Sequence, residues 1–237
     1  MTDILLVHGA CHGAWCWRDL VPQLQGRGHR VTALDLPAHG TDPTPRAEAT
    51  LAAYVGAILA AARAGSPPLL VGHSMGGLWI SAAGEAAPGA FAGLVYLTAF
   101  APVAGRSLHD LRRASVTGSL KAAIDFTADG LATEFSEPAL EPLFYHDCPA
   151  GTTAYARQHL CPEPIRPTQE PLALTDRYHS LPRDYVRCLA DRVIAPEAQA
   201  VMSRDWPAER VHEMTCGHSP FFADPDGLAQ VLNRIAQ

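Results

Sequence analysis

Short, largely apolar segments alternating with segments of helical spacing constrain this chain more than any other feature. Ile4–Val7, Val31–Leu36, Leu69–Val71 and Leu94–Leu97 are runs of this kind. Continuous apolarity, as opposed to strict alternation, belongs to strands buried on both faces. Between these runs, Leu20, Val21 and Leu24 repeat with helical spacing, as do Leu51, Tyr54, Val55, Ile58 and Leu59. A small-residue helix is expected over Leu78 to Ala87. Gly65-Ser66-Pro67-Pro68 closes the second helix, because Gly and Pro end helices. Repeated βα units predict an α/β fold, with a mainly parallel sheet and helices on both faces.

The rhythm breaks after Pro102. No strand stands out from there to about Arg183, and eight of the 20 prolines fall between Pro138 and Pro182. So long a stretch within a compact domain predicts a packed insertion, and Phe126, Phe135, Phe144, Tyr145, Tyr155 and Tyr178 supply apolar surface for it. The expected organisation is a core formed by residues 1–101 and 186–237, with a mostly helical lid at 102–185. The βα pattern resumes with a strand at Tyr185 to Leu189 and a helix through Ala198 to Met202. A strand at Arg210 to Thr215 and a helix from Pro225 to Ala236 complete it.

With 237 residues, the chain can bury one sizeable core. Its net charge of −6 and lack of a basic stripe exclude a nucleic-acid partner. No apolar run approaches the roughly 18 to 20 residues of a membrane helix. Met1-Thr2-Asp3 has neither the basic region nor the cleavage site of a signal peptide. Six cysteines lacking a CxxC or Cys/His zinc spacing read as reduced thiols in a cytoplasmic protein without metal or cofactor. A small-molecule substrate is the expected partner, and the one macromolecular partner left open is a second copy of the chain, as a homodimer.

Gly72-His73-Ser74-Met75-Gly76-Gly77 places GxSxG between a predicted strand and a predicted helix, the context the motif requires. Ser74 then sits on a strained turn above the carboxyl edge of the sheet. The Met75 N–H, at the helix start, points where an oxyanion would form. A serine hydroxyl needs a base, and the base needs a carboxylate to orient it. His218 lies on a late loop at the same edge, after Gly217, and satisfies the order serine, acid, histidine. His8 and His12 lie in the first loop, His73 inside the serine's own turn, and His39 after a different strand. Asp191 follows the strand that ends near Leu189 and is the expected acid, although it is also placed to cap the following helix. Asp176 and Asp184 precede that strand. The loop His8-Gly9-Ala10-Cys11-His12 has small residues that allow close approach to a carbonyl, and Ala10 N–H is expected to be the second oxyanion donor. His8 and His12 are expected to hold this loop by hydrogen bonds. Cys11, Phe100, Phe221 and Phe222 are expected pocket walls.

These segments resemble the α/β-hydrolase superfamily, and within it the plant methyl esterases and hydroxynitrile lyases that include the salicylate-binding methyl esterases and polyneuridine aldehyde esterase. The resemblance is carried by VHGACHGAWCW (Val7–Trp17), GHRVTALDLPAHGTD (Gly28–Asp42), VGHSMGG (Val71–Gly77) and the Asp191–His218 interval. It implies Ser74 as nucleophile, Asp191 and His218 as its partners and Ala10 and Met75 as amide donors. It also implies a six-stranded sheet, since the chain starts at the strand carrying the first loop. Hydroxynitrile lyases carry threonine where this chain has Gly9 and lysine where it has Ser219. Without that cation to receive cyanide, the resemblance implies a cofactor-free serine hydrolase of a small carboxylic ester, such as a methyl ester, acting through an acyl-enzyme. A thioesterase or lactonase would use the same triad, and a low-turnover protein binding a small acid would use the same pocket.

Overall fold

The computed structural model describes residues 1–63, 65–102 and 118–237. Its main sheet has six strands in the order β2-β1-β3-β4-β8-β9, every neighbouring pair parallel. These are β1 (Asp3–Val7), β2 (Arg30–Leu34), β3 (Leu69–His73), β4 (Gly93–Leu97), β8 (Arg183–Cys188) and β9 (Val211–Met214). All five residues of both β3 and β4 are buried, as expected for strands covered on both faces.

The helices are α1 (Leu20–Gly26), α2 (Leu51–Ala62), α3 (Gly76–Ala86), α4 (Thr152–His159), α5 (Pro196–Met202) and α6 (Pro225–Ile235), with shorter helical turns between them. Side chains start two of them: the Thr50 hydroxyl accepts the Ala53 N–H, and Asp224 accepts the Gly227 N–H ahead of α6, whose first residue is Pro225. α1 packs against α6, and α2 against α3. The connection from β1 to β2 runs one way along the sheet and those through β3 and β4 run the other. Right-handed crossovers therefore place their helices on opposite faces. The reversal occurs at β1, which lies between β2 and β3, so the crevice of this sheet opens between the carboxyl ends of β1 and β3. Val7 pairs with Gly72 there, setting the first loop beside the Ser74 turn.

One expectation needs correcting. Between β4 and β8, where no strand was expected, the described residues include a three-stranded antiparallel sheet of β5 (Ile124–Phe126), β6 (Ala132–Phe135) and β7 (Glu163–Pro164), set among helical segments that include α4 and a π-helical stretch at Leu140–Tyr145. Strands of two to four residues are too short to display a period, and the proline in β7 argues against a strand on propensity. The first part of the expected lid, 103–117, lies outside the described residues. Among those described, no helix is long and apolar enough to cross a membrane.

Candidate active site

β3 ends at His73, and at Ser74 the backbone turns with φ 54°, a left-handed conformation rarely adopted by residues with a Cβ. The turn closes because its glycines leave room. A Cβ on Gly72 would come within 2.7 Å of the Gly76 carbonyl oxygen, and one on Gly76 within 2.8 Å of the His8 carbonyl oxygen. Both collisions are with backbone, so a side chain cannot swing clear. Gly76→Ala is expected to cost about 1–3 kcal/mol of stability, a fall of roughly 2–4 °C in Tm per kcal/mol for a chain of this size, with kcat reduced as well. A calorimetric Tm and a rate equal to those of the unaltered protein would contradict this packing.

Three strand ends converge above the turn. Ser74 Oγ lies 3.1 Å from His218 Nε2, and His218 Nδ1 lies 2.7 Å from Asp191 Oδ2. All three residues are buried. Asp191 Oδ1 accepts the N–H groups of Val193 (2.6 Å) and Ile194 (3.0 Å), so the carboxylate holds the turn that follows it as well as the imidazole. Its Oδ2 also accepts the Thr98 hydroxyl and, at 3.4 Å, the Gln199 amide. Thr98 and Gln199 were not legible as contributors, because a hydroxyl after a strand and an amide within a helix belong to no motif. A lone hydroxyl directly after an apolar strand was the available signal.

The remaining nearby histidines hold backbone. His8 Nδ1–H donates to Gly9 O (2.9 Å) while its Nε2 accepts Leu36 N–H (3.2 Å). His12 bonds Ala10 O (2.7 Å) and the Tyr145 hydroxyl (2.8 Å). His73 Nε2–H donates to the His218 carbonyl (2.8 Å). Burial pushes all three imidazoles down, His12 to about 4 and the others well below their ordinary value, so they stay neutral. Asp147, from the inserted segment, accepts the Gly217 N–H at 2.5 Å and so secures the loop carrying His218.

Ser74 and His218 open onto a cavity of about 750 Å³, whose wall also includes Ala10, Met75, Cys11 and Phe100. Among the described residues, neither the Ala10 nor the Met75 N–H donates to another group of the chain. Phe221 and Phe222 are not on that wall. The helical turn Pro220–Ala223 carries them behind the histidine loop, where the Phe221 ring lies 4.9 Å from Trp17 and 5.0 Å from His73. The wall comes instead from the insertion, chiefly Ile124, Phe135, Phe144, Ile165 and Leu172, with Glu163 as a buried carboxylate. Their sequence neighbourhood has no period that could assign them to the cavity. At the positions separating esterases from lyases, a Cβ on Gly9 would lie 2.8 Å from Ser74 Cβ, and Ser219 is a buried neutral hydroxyl.

Comparison with known proteins establishes the family and the fold. A family model described as "Alpha/beta hydrolase family" matches residues 4–231. The chain is 32% identical over 254 residues to Esterase PIR7B of Oryza sativa subsp. japonica, covering 98% of this chain and 94% of that protein. It is 32% identical over 249 residues to Methylesterase 2 of Arabidopsis thaliana, covering 98% and 95%. Among solved structures, that of polyneuridine aldehyde esterase superposes with a TM-score of 0.89 over the whole of both chains at 22% identity, a likeness of fold.

Proposed function

The chain belongs to the alpha/beta hydrolase family, and from that premise we propose that it is a serine carboxylic ester hydrolase acting on a small ester, such as a methyl ester. The observation that carries the reading is the unbroken chain of hydrogen-bond distances from Ser74 Oγ through His218 to Asp191, with Ser74 and His218 on the wall of the cavity. In the reaction, His218 Nε2 takes the Ser74 proton as Oγ attacks the ester carbonyl. Asp191 holds Nδ1–H and stabilises the imidazolium. The Ala10 and Met75 amides receive the oxyanion, each such donor being worth about 3 kcal/mol. The alcohol leaves with the proton from His218, giving an acyl-enzyme on Ser74, and water repeats the sequence to release the acid. Residues 102–185 act as the lid that excludes solvent and supplies the apolar wall for the acyl group. The six free thiols suit a reducing compartment such as the cytoplasm.

The named relatives are esterases, so the thioester, lactone and binding-only readings are not favoured. A panel of methyl and p-nitrophenyl esters, acyl-CoA thioesters and homoserine lactones, ranked by kcat/KM, tests the proposal. Esters of short apolar acids are expected to lead. A thioester or lactone ahead by tenfold, or tight binding of small acids without turnover of any ester, would reject it.

A further inference from the structure

The turn that carries Ala10 closes with the His12 N–H donating to Gly9 O at 3.3 Å, and its third residue, Cys11, has φ 61°. That is the left-handed region, adopted here by a side chain that disfavours it, so something outside the turn must hold it there. The contacts come from the insertion. Glu163 Oε2 accepts the Cys11 N–H at 3.0 Å, the Cys161 N–H donates to Cys11 O at 3.0 Å, and Cys11 Sγ faces Thr133 O at 3.7 Å. Glu163 is itself 3% exposed, and the same Oε2 lies 2.8 Å from His39 Nε2, from the loop after β2. Its other oxygen, Oε1, is buried without a partner among the described residues. A carboxylate so enclosed needs a counter-charge, and among the described ion pairs His39 supplies it.

We propose that Glu163, balanced by His39, is a positioning residue for the oxyanion donor: it fixes Cys11 and thereby keeps the Gly9–His12 turn presenting the Ala10 N–H to the reacting carbonyl. The inference rests on the Ser74 reading but concerns how the site is kept in register, linking the insertion to the core at the atom where charge develops. It acts on the transition state and not on ground-state binding, so it belongs to kcat.

The pairing also sets a direction with pH. Glu163 holds the His39 imidazole above its ordinary value against the opposing effect of burial, helped by Asp35. The other groups facing His39 are Asp42, the His8 ring at 4.9 Å, His12, and the Tyr54 hydroxyl at 3.4 Å from Nδ1. His8 and His12 are neutral, and Asp42 adds to the attraction. A raised folded-state pKa means that the charged pair is complete below the ordinary value for histidine and is lost as pH rises through the raised one. kcat should therefore fall on the alkaline side while KM holds.

Glu163→Gln is the test, because an amide oxygen keeps the acceptor for Cys11 and removes the charge. The expected result is a kcat lower by about tenfold, a part of the 10²–10³ that losing a whole oxyanion donor costs, with KM within twofold. The alkaline limb of kcat should also be lost. A folded Glu163→Gln with the kcat and pH profile of the unaltered protein would overturn the proposal, as would a raised KM with kcat unchanged. These outcomes are separable from a failure of the Ser74 reading, which would show as activity surviving Ser74→Ala. If Glu163→Gln does not fold, NMR of the histidine rings in the unaltered protein decides. His39 losing its proton in step with kcat supports the proposal, and His39 already neutral where kcat is maximal overturns it.

Discussion

Replacing Ser74 with alanine is expected to lower kcat for ester hydrolysis by about 10⁴- to 10⁶-fold, with little change in Tm. The size of the loss follows from what remains in the cavity. The Cys11 thiol, also on the wall, is pushed well above its ordinary value, by burial first and by Glu163 second, so it offers no thiolate to take over the attack. His12 and His73 are neutral but have committed nitrogens to backbone and to Tyr145. The residual rate would come from substrate positioning and the two amides, which in serine enzymes leave roughly 10³–10⁴ over water once the nucleophile is gone. A fall of less than a hundredfold in kcat, measured by steady-state hydrolysis of the best ester, would mean that the nucleophile lies elsewhere. Stability is spared because Ser74 Oγ has one partner among the described residues, His218, and its removal orphans no buried charge.

Asp191→Asn should cost about 10⁴ in kcat, the scale of losing the correct imidazole tautomer in a serine triad. The side chain keeps its shape, so the Val193 and Ile194 amides can still find an oxygen where Oδ1 lies. The Asn Nδ2 then occupies the site of Oδ2, where the Thr98 hydroxyl, the Gln199 amide and His218 Nδ1 all converge. Nδ2 donates, so His218 must turn Nδ1 into an acceptor and carry its proton on Nε2, facing Ser74 and unable to take a proton from it. Labelling of Ser74 by a reactive phosphonate should slow in parallel with kcat. An Asp191→Asn variant retaining a tenth of the activity would show that His218 is oriented by some other group.

The parts of the molecule built on repetition were open to reading from residues alone. Buried strands such as Leu69–His73 and Gly93–Leu97 carry unbroken apolar runs, Leu69–Val71 and Leu94–Leu97, because helices cover both faces, and that pattern survives any change of partner. The Ser74 turn was legible for a related reason: backbone crowding demands small residues at Gly72 and Gly76, and crowding is written directly as residue type. The insertion was not legible in this way. Its strands are too short for a period, and Glu163 sits in Cys161-Pro162-Glu163-Pro164, where it looks like any solvated carboxylate. Only the tertiary approach of β7 to the first loop gives it His39 and Cys11 as partners. Phe221 and Phe222 were misplaced because closeness in sequence to His218 says nothing about which side of the loop a side chain takes. A short helical turn starting at Pro220 sends them into the packing around Trp17 and His73.

The most direct measurement is mass-spectrometric mapping of the adduct formed with a fluorophosphonate, alongside the rate of its formation. A single adduct on the peptide bearing Ser74 is expected, absent from Ser74→Ala and formed at least a hundredfold more slowly in His218→Ala. Stoichiometric labelling at any other residue, or at Ser74 with a rate indifferent to the loss of the His218 imidazole, would contradict the account.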